Sequence, residues 1–417
     1  MLDLFPDTVA IVDGELTVGG VRSSELAGEF GTPLLVYCRE TLLARAHTYL
    51  GLVGAGGTVV YGTKAFPNVA LLRLLADEGL GADVSTAGEL AFALRAGVPG
   101  DRIVFHGNNK SDEELAAAVG AGAVVGVDAL DDVERIVARH RSARALIRVT
   151  PGVEAETHRS IQTAHSGSKF GLLPADAFTA IAALRDGGVD AAGLHLHIGS
   201  QLARVDESMA AVDVLLELAW RARAELGWTP QIIDVGGGLA VRHSHGESAP
   251  EPEEFAGALV ERVRSATEDA VHVMLEPGRS LVGPAGFTLY RVGVVKPAPG
   301  VTYVTVDGGM SDNPRPQLYG ARYEALLANR ADDRPTASYR VAGKHCESGD
   351  VLIDAVELPE PRRGDLLAVP ATGAYTLGMA SNYNGVPRPA AVLVGDGRTE
   401  LIRRRETIDD LLALEVR

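Results

Sequence analysis

Cysteine is almost missing from this chain. Only Cys38 and Cys346 occur among 417 residues, so no disulfide framework is available and a reducing, cytoplasmic setting is expected. Long apolar runs are missing too. Nothing approaches the 18 or so consecutive apolar residues of a membrane span, and the first residues lack the charged-then-apolar pattern of a secretory signal. Basic residues are in deficit: 39 Lys and Arg stand against 55 Asp and Glu, for a net charge of −16. A protein that binds phosphate backbones needs a basic face, so no nucleic-acid partner is expected. Low-complexity tracts are absent. What remains is a globular chain, 46% hydrophobic and 23% charged, long enough for about two domains.

What is present is an alternation. Between residues 33 and 285, short β-branched runs ("LLVYC", "TVVYGTK", "GADVST", "RIVFHG", "VVGVD", "ALIRV", "AGLHLHIGS", "QIIDVGGG", "HVMLEPG") alternate with segments of helical spacing such as "SDEELAAAVGAG" and "DDVERIVARH". Such a pattern predicts parallel strands joined by helical crossovers. Nine runs are one more than a (β/α)8 barrel holds, and "LLVYC", set off by a Gly- and Pro-marked stretch, is the surplus one. A TIM-like barrel is therefore expected, with a doubly wound open sheet as the competing architecture. From residue 286 the texture turns β-rich with turn residues between runs, which predicts an all-β, sandwich-like or Greek-key-like second domain. The opening "TVAIVDGELTVGG" has a hairpin pattern around Asp13-Gly14 and is expected to join that sheet. The predicted domains are an arm over 1–33, a barrel over 34–285 and a β domain over 286–417.

Barrels gather chemistry at the C-terminal ends of their strands. Those ends carry Lys64, Asp83 and Ser85, His106, Asp128, Arg148, His197 with Ser200, Gly236, Gly237 and Gly238, and Glu276 with Arg279. Singly, each has a plain alternative. A lone strand histidine packs in cores, a triple glycine is a loose turn, and "EPGR" is a surface ion pair. Together they offer an amine nucleophile, a backbone cradle for phosphate, a flat ring for stacking and a carboxylate, which are the requirements of pyridoxal 5'-phosphate. Lys64, at the end of a buried strand, is expected to be the amine, made more nucleophilic by burial. In the β-rich region, Cys346, Glu347 and Asp350, Tyr375 and Tyr383, and Arg315 and Tyr319 form a further candidate set. Cys346 has no second cysteine nearby to make a metal site, and no metal is expected; a buried inert thiol is its plain alternative.

The ordered motifs "YGTKAF", "DVSTAGEL", "HGNNKS", "TPGVEA", "HIGSQ", "GGGL", "EPGRSLVG", "DNPRPQLYG", "CESGD", "GAYT" and "NYNGVPRP" run through nearly the whole chain. The sequence resembles the fold-type III pyridoxal-phosphate decarboxylases, the class-II ornithine/lysine/arginine decarboxylase group, and within it the diaminopimelate decarboxylases. The resemblance implies an alanine racemase-like fold and a carboxy-lyase. Its expected reaction converts meso-2,6-diaminoheptanedioate to L-lysine and carbon dioxide, the last step of lysine biosynthesis. It also implies roles. Lys64 would hold the cofactor, with Asp83 near it and His197 stacked on the ring. Ser200, Gly236 to Gly238, Gly278 and Tyr375 would hold the phosphate, and Glu276 the ring nitrogen. Arg279, Arg315 and Tyr319 would take the far carboxylate of the substrate, with Arg279 and Tyr375 bordering both ligands. Cys346, as proton donor, and Glu347, facing the far ammonium, would come from the partner subunit of a homodimer. A decarboxylase of another or a carrier-linked amino acid, and a non-catalytic cofactor carrier, are the alternatives.

Overall fold

The computed structural model describes residues 2–152, 167–268 and 270–416. The chain divides into two compact units, one of residues 45–240 and 249–280, the other of 1–44, 241–248 and 281–417.

In the first unit, eight parallel strands close into a barrel. They are Gly57–Gly62, Gly81–Val84, Ile103–Phe105, Val124–Val127, Arg144–Arg148, Asp190–His195, Ile232–Asp234 and His272–Leu275. The last pairs with the first through Val273↔Gly57, Met274↔Thr58 and Leu275↔Val59, which rules out the open-sheet alternative. These strands are near-continuous apolar runs because both faces are covered, one by helices and one by the barrel interior. Val60, Val104, Val124, Leu146, Ala192, Ile232 and Met274 pack into one buried cluster, each from a different strand.

The crossover helices start where the sequence marks them. Ser111 accepts the Glu114 backbone N–H while the Glu114 side chain returns to the Ser111 N–H, a capping box that opens Asp112–Gly120. Thr86 caps Ala87–Ala96 by accepting the Glu89 N–H, and that helix ends on Gly97 in the left-handed conformation.

The second unit is built on a nine-stranded sheet. At its centre, Leu34–Cys38 lies between Gly286–Ala298, antiparallel, and Ala390–Gly395, parallel, so "LLVYC" belongs to this sheet and not to the barrel. All five of its residues are buried. The N-terminal hairpin forms as predicted, with a two-residue turn in which Asp13 (φ 52°) and Gly14 (φ 78°) take the positive φ that such turns require. It does not join the large sheet. Its strand Glu15–Val18 spends its second edge on Val21–Arg22, making a three-stranded sheet whose Leu16 and Val18 share a core with Val36, Phe287 and Val392. Among the described residues, no helix is long and apolar enough to cross a membrane.

Candidate active site

Because all eight barrel strands run parallel, their C-terminal ends share one rim. The first strand gives way to a short 3-10 turn, Thr63–Ala65, which carries Lys64. Its side chain is 43% exposed, and Nζ donates to Asp83 Oδ2 at 2.8 Å. Burial of the lysine was the expectation. The side chain is half-exposed instead, and what stabilises the cation at the strand end is the buried Asp83 carboxylate on the neighbouring strand. Thr63 locks the two strand ends by donating Oγ1–H to the Asp83 carbonyl at 2.7 Å.

The glycine loop follows the seventh strand. Gly236 (φ 68°) and Gly238 (φ 108°) occupy conformations that side chains rarely tolerate. A Cβ on Gly236 would come within 2.3 Å of the Leu196 carbonyl oxygen, and one on Gly237 within 2.2 Å of that of Glu276. The Gly236 N–H is turned inward to Asp234 Oδ1 (2.8 Å), so that glycine contributes conformation and not an outward donor. Arg279, itself buried, donates through Nε and Nη2 to Ser200 Oγ at 3.2 and 3.0 Å, linking the "HIGSQ" and "EPGR" segments.

Glu276, on the rim just after the eighth strand, is held by two histidines. It is 5% exposed. His106 Nε2 lies 2.6 Å from Oε1, and His195 Nε2 lies 3.2 Å from Oε2. The two imidazoles tilt against each other with centroids 4.3 Å apart. Burial pushes the Glu276 carboxyl up, but the two histidines outweigh it and hold it well below the usual carboxylate range. Burial also dominates at His195, pushed down to about 3, and at Asp234, pushed well up with the Glu276 charge adding to the shift. His197 is likewise lowered by burial, then by the charges of Lys64 and Arg148.

His106, His195, Asp234 and Glu276 place one ligand atom each within 4.8 Å of one another. Metal ligation is a poor fit for this group. Two ligands about 2.1 Å from one tetrahedral ion sit about 3.4 Å apart, whereas the His106–Glu276 contact of 2.6 Å is filled by a proton.

The remaining predicted residues lie in the second unit. Arg315 opens the helix Arg315–Tyr319 and is buried, with Nη1 donating to His243 Nε2 and to Tyr323 Oη, both at 2.7 Å. Tyr375 has a positive φ of 57°, an uncommon conformation of the kind that gathers at ligand sites. Cys346 is exposed, as is Glu347, so the buried-thiol alternative does not hold. The Cys346 loop is pinned by its N–H donating to Asn384 Oδ1 at 2.9 Å. The end of the "TPGVEA" motif lies outside the described residues.

Four residues of these sites escaped the sequence reading: His195, Asp234, His243 and Tyr323. His195 had a readable signal, since "HLHIGS" places it two positions before His197 on a strand whose inward face ends at the rim.

A sequence profile described as the pyridoxal-dependent decarboxylase, pyridoxal binding domain matches residues 40–283. The chain belongs to this family of pyridoxal-dependent decarboxylases. It is 42% identical to the diaminopimelate decarboxylase of Halalkalibacterium halodurans, over 97% of this chain and 95% of that protein. It is 43% identical to that of Actinosynnema pretiosum, over 99% and 95%. Among solved structures it is similar to the diaminopimelate decarboxylase of M. jannaschii in co-complex with L-lysine, with a TM-score of 0.92, 34% identity and coverage of 98% of each chain.

Proposed function

We infer that this chain is a pyridoxal 5'-phosphate-dependent carboxy-lyase acting on meso-2,6-diaminoheptanedioate to release carbon dioxide and L-lysine in the cytoplasm. The observation that carries the reading is the shared rim, which presents an exposed lysine amine, a glycine loop and a buried ionised carboxylate together.

This donor set fits the cofactor. The glycine loop has no room for side chains, Glu276 is the anion a pyridinium nitrogen requires, and Lys64 is the amine for covalent attachment. Bound there, the cofactor supplies a sink for the electron pair left on the α-carbon when the carboxylate departs. Asp83 holds the Lys64 ammonium when that amine is released and can keep its proton close. His197 provides a ring to stack on. The amides of Gly237 and Gly238, with Ser200, Gly278, Arg279 and Tyr375, are the candidates to hold the phosphate.

For the substrate, Arg315, Arg279 and Tyr319 are assigned the far carboxylate, with Tyr375 alongside. A guanidinium fixed by His243 and Tyr323 is pre-organised for such an anion and loses little freedom on binding. Cys346 is assigned the proton delivered to the α-carbon and Glu347 the far ammonium, both supplied by the partner subunit of a C2 homodimer. Their exposure supports that assignment.

The test offers purified protein meso-diaminopimelate, L-lysine and L-ornithine in parallel and measures carbon dioxide. Release from diaminopimelate alone is expected. Release from lysine or ornithine without diaminopimelate turnover overturns the substrate, and release from none overturns the activity.

A further inference from the structure

The site as described uses Glu276 and leaves His106, His195 and Asp234 without a task. All three are buried, yet each costs free energy to bury unless its polar atoms are engaged. The two histidines are engaged on one object: each approaches a different oxygen of Glu276 through Nε2. A carboxylate accepts hydrogen bonds, so both imidazoles carry the proton on Nε2. Rotating the carboxylate would break both bonds in a place where water cannot replace them.

Asp234 makes the arrangement more than a brace. Its Oδ1 accepts the Gly236 N–H, while its fully enclosed Oδ2 meets no backbone or imidazole donor, and the carboxyl lies against that of Glu276, close enough to share a proton with it. Two carboxyl groups in one buried cluster cannot both be ionised cheaply, so one of them keeps a proton. The donors decide which. Glu276 receives two imidazole N–H groups, and Asp234 receives one amide.

We propose that His106 and His195 are positioning residues that assign the negative charge of the Glu276–Asp234 pair to Glu276, and thereby keep the cofactor's ring nitrogen protonated. This rests on the reading of the rim as a pyridoxal-phosphate site. The other charges whose fields reach the cluster are Arg148, ion-paired to Asp128 at 3.5 Å, and Asp83, ion-paired to Lys64. Arg148 keeps its partner, Asp83 has one while the Lys64 amine is free, and neither is hydrogen-bonded to Glu276, which leaves the histidines as the groups in direct contact with it. The depressed His195 and the raised Asp234 agree with this division, since both are uncharged near neutrality. Losing one imidazole donor lets the proton of Asp234 pass to Glu276. A neutral Glu276 no longer favours a pyridinium, and the electron sink weakens.

The experiment uses holoenzyme reconstituted with pyridoxal 5'-phosphate labelled with 15N in the ring, and follows that nitrogen's resonance between about pH 6 and about pH 9. Wild type is expected to show a pyridinium throughout. His106→Leu and His195→Leu are expected to move the signal toward the neutral pyridine, with kcat falling about tenfold or more, the equivalent of one pKa unit or more. His195→Gln, whose amide N–H can take the place of Nε2–H, is expected to restore the pyridinium. A merely structural role would loosen cofactor binding without moving the resonance of what stays bound. Pyridinium throughout in the leucine variants overturns the proposal. Should those variants fail to fold, the wild-type imidazole 15N spectrum decides: a proton on Nδ1 and not on Nε2, in either histidine, overturns it equally. Failure of the wild type to take up cofactor would instead sink the functional reading.

Discussion

His195 gives the barrel a built-in sensitivity to acid whose size follows from burial. Its imidazole is 1% exposed and pushed down to about 3 in the folded protein, from an ordinary 6.5. Above pH 6.5 neither folded nor unfolded chain protonates it, and it adds no pH dependence to stability. As the pH falls below 6.5 the unfolded chain takes up the proton and the folded barrel does not. Stability then drops by about 1.4 kcal/mol per pH unit, until the folded pKa is reached. At about pH 5 the loss amounts to about 2 kcal/mol. His195→Gln removes the titration while keeping an N–H for Glu276. Both tryptophans, Trp220 and Trp228, lie in the barrel unit, so their fluorescence during urea unfolding reports on that unit separately. The variant is expected to lose about 2 kcal/mol less than wild type between about pH 7.5 and about pH 5. Equal losses in the two proteins would refute the reasoning.

Borohydride reduction of the holoenzyme followed by peptide mapping should place the pyridoxyl label on Lys64; a label on another lysine would displace it from its assigned role. Arg315→Ala should raise KM for diaminopimelate about 30-fold with a smaller change in kcat, since loss of a pre-organised buried charge partner costs about 2 kcal/mol or more. Inactive Lys64→Ala and Cys346→Ala proteins, mixed under conditions that exchange subunits, should recover about a quarter of wild-type activity, because about half the dimers are heterodimers with one intact site. No recovery after verified exchange would mean that each chain completes its own site.

The barrel was legible because eight apolar runs each end on polar residues at regular spacing, a pattern that packing alone does not produce. Even the surplus strand could be identified, although its destination between residues 286–298 and 390–395 could not, since pairing across that distance leaves no local signal. The rim residues were legible for the same reason as the strands: Lys64, Asp83, His106 and Glu276 stand at run ends. His195 and Asp234 close their strands, but each is followed in the sequence by another apolar residue, Leu196 and Val235, so both read as core; only the two-residue spacing from His197 marks His195. Their task appears only when barrel closure brings them to Glu276 from other strands.

The placement of Leu34–Cys38 has a consequence for how the protein is made. Val36 pairs with Phe287 on one side and Val392 on the other, partners that leave the ribosome about 250 and about 350 residues later. At 5–20 residues per second, the first partner arrives about 12–50 s after the strand itself. During that interval an apolar five-residue run, with both hydrogen-bonding edges open, waits while an entire barrel is synthesised behind it. Nascent chains on crowded polysomes carry the same run in the same state. Shielding this strand is therefore expected to raise the yield on expression, and slower synthesis past residue 280 to lengthen the exposure.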